Sequence, residues 1–321
     1  MFEKFRFHPE QLNPEGRQEG ISAVIPVKNG EDFIERAIRS HIDHYDEIVV
    51  VHNQCTDRTV PIVERLQDEF PKKLRVLHYE PRAYPPASAA NIKEPPTSVH
   101  SSVNYANWAL AQSRYAIVAT LDDDHIAMPR QLAGIVAKVR ADGLRQGRYA
   151  CVSGINLAQD ASGRRGVLVT NPFVGSGDHG FFRVSHDTIY SFHPRLGRRN
   201  DFGFRRFFGF AYWHVKHLKK MAGFANYEIA SNPGGRWERK QREFHASLAV
   251  VPVEELRRLR PAGSVLIEAA FRLGVPLPER LAIKAGQWNE VVGQLDQLDR
   301  SLVEDILGQY PAAQLLERAA T

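Results

Sequence analysis

Residues 115–132 read YAIVATLDDDHIAMPRQL, and the rest of the fold can be worked out from this stretch. Tyr115–Leu121 is an apolar run of strand length, stopped abruptly by Asp122, Asp123 and Asp124;. Pro129 suits the first turn of a helix, because its missing N–H has no partner to lose there. Leu132, Ile135, Val136 and Val139 then recur at helical spacing;. The stretch is therefore a buried strand, an acidic turn and a helix.

The same alternation extends outward. Ile21–Val27 is a short apolar run, and Glu31–Ile42 carries Phe33, Ile34, Ala37, Ile38 and Ile42 on one helical face;. Glu47–Val51 reads as a second buried strand. Thr56 or Asp57 caps a helix bearing Val60, Val63, Leu66 and Phe70, and Leu74–Tyr79 is a third strand;. Prolines 81, 85, 86, 95 and 96 interrupt with a long loop, of a kind enriched in function;. A helix over Ser101–Ser113 and a strand over Tyr149–Gly154 complete the pattern. Strands alternating with helices predict an α/β fold, an open and mostly parallel sheet with helices on both faces. Ligands of such sheets bind beyond the carboxyl ends of the strands. Lys28-Asn29, His52-Asn53 and Asp122–Asp124 all fall there. Residues 1–20 read as a lead-in arm. Beyond about residue 160 the alternation weakens, and 246–321 reads as a C-terminal helical extension with Leu256, Leu259, Val265, Ile267, Leu295, Leu298, Leu302 and Ile306 as apolar positions.

Composition narrows the class. The chain has 321 residues, 43% hydrophobic and 25% charged, enough to bury a core without staples;. Two cysteines, Cys55 and Cys151, exclude a disulfide framework and offer no zinc pattern;. No apolar run reaches membrane-spanning length, and the first residues, MFEKFRFHPEQLNPEG, lack the core of a signal peptide;. A cytosolic globular protein is expected. The net charge is +5, but twelve Lys/Arg against three acids crowd residues 195–242. That field suits phosphates of a nucleotide or a lipid headgroup, or else is a solvated basic surface.

Three adjacent carboxylates repel one another unless a cation neutralises them. Mn²⁺ or Mg²⁺ takes oxygen ligands from one or two carboxylates and from substrate phosphates. The competing reading is a solvated turn in which Asp124 caps the next helix.

With these residues in hand, the chain resembles family-2 glycosyltransferases of the GT-A fold. Ile21–Ser40, ISAVIPVKNGEDFIERAIRS, is similar to that family's first βα unit. Asp46–Thr59, DEIVVVHNQCTDRT, resembles its second strand and turn, and Asn107–Leu132 resembles its helix, strand and DxD motif. The resemblance divides the chain into an arm (1–20), a GT-A domain (21–245) and the helical region (246–321). Within the domain it sets a nucleotide-binding half (21–155) and an acceptor half (156–245). It implies a nucleotide-sugar donor, a divalent metal and inversion at the anomeric carbon. By position, Pro26, Lys28 and Asn29 border the base, and Asn53 stands where the family often has an Asp that reads uracil. Asp122 is expected near the ribose or sugar and as a second metal contact, Asp124 on the metal, and Asp123 at the variable position of the donor site. The acceptor is expected to be a glycan or glycolipid, as in bacterial surface polysaccharide or lipopolysaccharide synthesis. A peripheral contact with anionic membrane is expected too, and no nucleic acid.

The second half supplies the remaining candidates. An inverting transfer needs a base for the acceptor hydroxyl. Asp178 in FVGSGDHGFFRV is the first choice, with Asp201 and His179 as others; an ordinary loop aspartate is the plain reading of Asp178. In YWHVKHLKK, His214 and His217 stand three apart, as on one face of a phosphate-facing helix, and His214 is either a metal ligand or a core histidine;. In NPGGRWERKQR, Arg236 and Arg239 suit a lid gripping a diphosphate, or an exposed turn;. Two other functions share parts of this pattern. A sugar nucleotidyltransferase should carry a Gly-rich basic loop where VKNGED stands, and a non-catalytic basic module should not carry the acid triplet.

Overall fold

Strand β1 (Gln18–Val27) buries both of its faces, and its alternating side chains feed two separate layers;. Ile21, Ala23, Ile25 and Val27 pack beneath helices α1 (Ile34–His41), α2 (Thr59–Glu69) and, further along the sheet, α5 (Pro129–Asp142). Val24 points the other way, into a layer built around Trp108 and Leu110 of α4 (Ser102–Ala111). In the computed structural model, residues 2–86, 88–145, 147–174, 179–191, 198–199, 204–219, 243, 248–298 and 301–308 are described.

Strands β2 (Glu47–His52) and β3 (Leu74–His78) extend the sheet on one side of β1, and β4 (Tyr115–Thr120) joins on the other, all parallel. The in-register pairs Val27↔His52 and Val24↔Thr120 bring the carboxyl ends of these strands to one edge. Beyond β4 the sheet continues antiparallel through β8 (His179–Arg183), β6 (Arg148–Gln159), β7 (Arg165–Leu168) and β12 (Val250–Val251). The expected open sheet with helices on both faces therefore forms.

Four local features differ from the sequence reading. Strand β1 begins at Gln18, three residues early, and the arm before it is packed. Phe5 lies 5.1 Å from the Tyr79 ring and 5.4 Å from Trp108, and Trp108 Nε1 donates to the Lys4 carbonyl. The proline-rich loop holds a short helix, α3 (Ala89–Lys93), whose first turn is capped by Ser88. A three-residue strand, β5 (His125–Ala127), separates the acid triplet from α5, so Asp124 is not the cap of that helix; Met128 occupies the cap position. Finally, residues 204–217 form a long strand, β11 (Phe204–His217), and not a helix. Its aromatic and β-branched residues favour a pleated, buried surface, and it runs parallel to β6 and antiparallel to β5. A bulge accompanies Gly209, whose φ of +144° is open to glycine alone without strain;. A minor pair, β9 (Tyr190–Ser191) and β10 (Arg198–Arg199), lies apart from the main sheet.

The C-terminal region is helical, with α6 (Ser264–Arg272), α7 (Glu279–Gln294) and α8 (Ser301–Gly308). Trp288 and Val291 of α7 pack against Phe210, Trp213 and Val215 of β11 in one continuous core. Among the described residues, no helix is long and apolar enough to cross a membrane.

Candidate active site

The carboxyl ends of β1 and β2 are tied together before any ligand is considered. Tyr105 reaches up from α4; its hydroxyl accepts from Val27 N–H at 3.1 Å and donates to the Val51 carbonyl at 2.6 Å. Pro26 pairs with Val51 in the parallel ladder, and Lys28 lies half-buried just beyond. Asn29 sits at φ +57°, a left-handed turn that Asn tolerates;. Its Oδ1 accepts from Thr56 N–H at 2.8 Å, which braces the first loop against the second. At Gly30 a Cβ would lie 2.7 Å from Asp123 Oδ2, so only glycine lets this loop close over the acid triplet;.

Asn53 is turned toward the proline-rich loop. Its Nδ2 donates to the carbonyls of Tyr79 and Pro81, both at 2.6 Å, and its Oδ1 accepts from Ala83 N–H at 3.0 Å. Both donors and an acceptor lone pair are thereby committed to the proline-rich loop, and the residue is buried;. Asn53 holds that loop with both amide protons, and one lone pair of its Oδ1 remains;.

The acid triplet divides by environment. Asp122 is half-exposed, whereas Asp123 and Asp124 are buried. Lys219, itself buried, donates to both: its Nζ lies 2.9 Å from Asp123 Oδ2 and 2.8 Å from Asp124 Oδ2. Burial pushes the Asp123 carboxyl up, and its acidic neighbours add to this against the pull of Lys219. Burial, the largest single effect, would raise Asp124 as well, but Lys219 together with His214 and His125 outweighs it and holds that carboxyl well below its ordinary value. Asp124 is thus kept ionised. Asp123 is a buried ion-pair partner of Lys219, which the variable position in the motif did not foretell.

Three histidines surround this point. β5 pairs with β11 so that His125 stands opposite His214, and Val215 N–H donates to the Asp124 carbonyl at 3.0 Å. His214 Nε2 lies 3.5 Å and His125 Nε2 3.9 Å from Asp124 Oδ1. On the other side His179 Nε2 lies 3.5 Å from Asp122 Oδ2, and the His125 and His179 rings meet edge to face at 4.4 Å. Burial, reinforced by His179, holds His125 well below its ordinary pKa, so its imidazole is neutral.

Asp124–His125–His214 and Asp122–His125–His179 each form a group whose donor atoms all lie within 4.8 Å of one another. Asp124 Oδ1 and His125 Nε2 are buried without a hydrogen-bond partner. An orphaned carboxylate oxygen in so dry a site is costly unless a cation meets it, whereas His125 Nδ1 accepts from Asp122 N–H at 3.4 Å, which leaves the proton of that neutral ring on Nε2;. The donor set therefore fits a divalent metal. His214 is in position for such a site, but on a strand; the ladder is irregular between it and His217, whose ring lies 6.2 Å away edge to face and belongs to neither donor group. Lys219 faces the acids, and no phosphate-facing helix forms at Tyr212–Lys219. Asp178, Asp201, Arg236 and Arg239 lie outside the described residues, as does most of the basic segment.

Sequence reasoning missed three residues here: His125, Lys219 as a counter-ion, and Asn156, whose Oδ1 lies 2.6 Å from His214 Nδ1. His125 follows the triplet directly, which was a signal. Nothing local in the sequence marks the other two.

Residues 22–91 match the family model described as glycosyl transferase family 2. No curated protein matches the chain. Among solved structures, the chain is similar to the S. aureus TarS 1–349 crystal structure, with TM-score 0.34 and 14% identity, covering 86% of this chain and 91% of that one. It is also similar to glucosyl-3-phosphoglycerate synthase from Mycobacterium tuberculosis in complex with Mn²⁺, UDP-glucose and phosphoglyceric acid. That likeness has TM-score 0.34 and 16% identity, covering 77% of this chain and 91% of that one.

Proposed function

We propose that this protein, a family-2-like glycosyltransferase, moves a sugar from a nucleoside-diphosphate donor to a hydroxyl acceptor by a single metal-assisted, inverting displacement. The observation that carries this reading is the orphaned oxygen Asp124 Oδ1 facing His214 Nε2 at 3.5 Å, at the sheet edge where α/β folds bind ligands;.

In this reading Asp124 and His214 hold the metal, with His125 beside them and the half-exposed Asp122 turned to the sugar or ribose and able to give a second contact. An imidazole beside a carboxylate suits Mn²⁺ better than Mg²⁺, which prefers an all-oxygen shell. When bound, the metal supplies positive charge against the departing diphosphate. The chain's own residues do the rest. The β1 turn at Pro26–Asn29 and the loop held by Asn53 shape the floor of the nucleotide site. Arg236 and Arg239 grip the leaving phosphates. The acceptor's proton goes to a base drawn from Asp178, His179 and Asp201. Among these His179 has the support of geometry, as its Nε2 lies 3.5 Å from Asp122 Oδ2.

The acceptor reading is a glycan or glycolipid presented at an anionic membrane surface. Exposed Val265, Leu266, Leu273 and Val275 form an apolar ridge on and after α6, with exposed Arg272 and Arg280 nearby in the chain. An apolar ridge flanked by basic side chains complements an anionic bilayer.

Thermal unfolding with nucleoside diphosphates and nucleotide sugars, with and without Mn²⁺, tests the donor and the metal together. The expected result is stabilisation by a nucleoside diphosphate only when Mn²⁺ is present, lost in Asp124→Ala. Full turnover in chelator, or in Asp124→Ala, rejects the metal assignment. Asp178→Asn and His179→Gln, compared for turnover at unchanged donor affinity, identify the base.

A further inference from the structure

His214 presents only one nitrogen to the acid triplet, and a neighbour decides which. Asn156 of β6 is buried beside it, and its Oδ1 lies 2.6 Å from His214 Nδ1. The amide cannot be turned round. Its Nδ2 donates to the Asn171 carbonyl at 2.8 Å, and reversing it would set Oδ1 against that carbonyl;. An amide oxygen only accepts, so His214 Nδ1 carries the proton and donates to it. His214 Nε2 is left with a bare lone pair, aimed toward Asp124 Oδ1 at 3.5 Å, an oxygen that has no hydrogen-bond partner. Lys219 holds the other oxygen of the same carboxylate, Oδ2, at 2.8 Å. Both groups are thus restricted to one donor atom each, and the two atoms face each other.

We propose that Asn156 is a positioning residue that locks His214 in the tautomer whose Nε2 ligates the metal, with the Asn171 carbonyl fixing the amide that does so. The inference rests on the metal reading above and deepens it. A ligating histidine is oriented and made a better donor by the partner of its other ring nitrogen, and loss of such a partner costs 10- to 100-fold in metal affinity. Asn156 stands on a different strand from His214 and from the acid triplet, so it reaches the site only through the imidazole.

The test uses the full-length protein and two measurements. Nitrogen-15 chemical shifts of the metal-free protein report the His214 tautomer; the expected state is protonated Nδ1 and bare Nε2 in the wild type, and a mixture in Asn156→Leu. Mn²⁺ affinity, followed by the electron paramagnetic resonance of free Mn²⁺, should weaken about 10- to 100-fold in Asn156→Leu. Asn156→Asp keeps an acceptor on Nδ1 and should restore most of that affinity. Circular dichroism of both variants separates loss of the lock from loss of the fold. Wild-type protein with Nε2 protonated, or Asn156→Leu binding Mn²⁺ as tightly as the wild type, overturns the proposal alone. Wild-type protein that binds neither Mn²⁺ nor Co²⁺ overturns the metal reading and this proposal together.

Discussion

Lys219 Nζ lies 2.8 Å from Asp124 Oδ2 and 2.9 Å from Asp123 Oδ2, and all three side chains are buried. The lysine turns two mutually repelling carboxylates into a stable pair while leaving Asp124 Oδ1 unused. Removing one partner of such a buried ion set is far costlier than the set is worth, because the remaining charges stay uncompensated. Lys219→Met should therefore destabilise the metal-free protein by about 3–5 kcal/mol in urea unfolding. A divalent cation can supply the missing charge, so Mn²⁺ should recover more stability in the variant than it adds to the wild type. A variant as stable as the wild type would mean that Lys219 is a spectator.

The parallel half of the sheet was legible because each buried strand shows a continuous apolar run and each helix a period of three to four residues. Ile21–Val27, Glu47–Val51 and Tyr115–Leu121 all lie close to where the residues alone put them. The acid triplet was legible for the same reason: polar residues right after an apolar run sit at a strand's end. What failed were contacts made through space. His214 and His217 have a spacing that suits a helix equally well, and only pairing with β5 and β6 decides for a strand. Lys219 and Asn156 meet their partners 96 and 58 residues away, so no local pattern announces them. Position within a motif likewise did not say that the Asn53 amide would hold the Tyr79 and Pro81 carbonyls.

Asn53 offers a direct check of how the proline-rich loop is held. Converting it to the residue more usual in the family, Asn53→Asp, would set a carboxylate oxygen against the Tyr79 and Pro81 carbonyls that now receive its two N–H bonds. Loss of buried hydrogen bonds with unpaired acceptors left behind costs about 1–3 kcal/mol, more for a charged group. The expected outcome is a fall of several degrees in Tm at neutral pH, partly relieved on acidification as the carboxyl takes a proton. If Asn53 instead reads the base, Asp will leave Tm unchanged and alter which nucleoside diphosphate binds.

Glu290 on α7 gives the fold a pH dependence of its own. Burial pushes its carboxyl up from the ordinary 4.5 to about 7, against the Phe210 N–H that donates to it at 3.1 Å. The folded state thus keeps a proton that the unfolded chain has already released. Its stabilisation is complete below pH 4.5 and is lost as pH rises through 7, by at most about 3 kcal/mol;. Glu290→Gln keeps an oxygen for Phe210 N–H and carries no charge. It should match the wild type near pH 4.5 and unfold at higher temperature than the wild type at pH 8. Parallel Tm profiles from pH 4.5 to 8 would refute this assignment.

The membrane face is tested where the fold has least at stake. Leu266 and Leu273 are 79% and 81% exposed, so replacing both by Glu removes apolar surface without opening the core. Substitutions at such positions change stability by about 0.5 kcal/mol or less. On a bilayer each leucine buries several methyl and methylene groups at about 0.8 kcal/mol apiece, and each nearby arginine adds about 1 kcal/mol against anionic lipid. Sedimentation with phosphatidylserine-containing vesicles should therefore show binding by the wild type, weakened at least tenfold by Leu266→Glu with Leu273→Glu. Binding should also fall with added salt, and be slight on purely zwitterionic vesicles, because the arginines act through charge. Equal binding of variant and wild type, or no preference for anionic lipid, would assign the ridge on α6 to a contact other than a membrane.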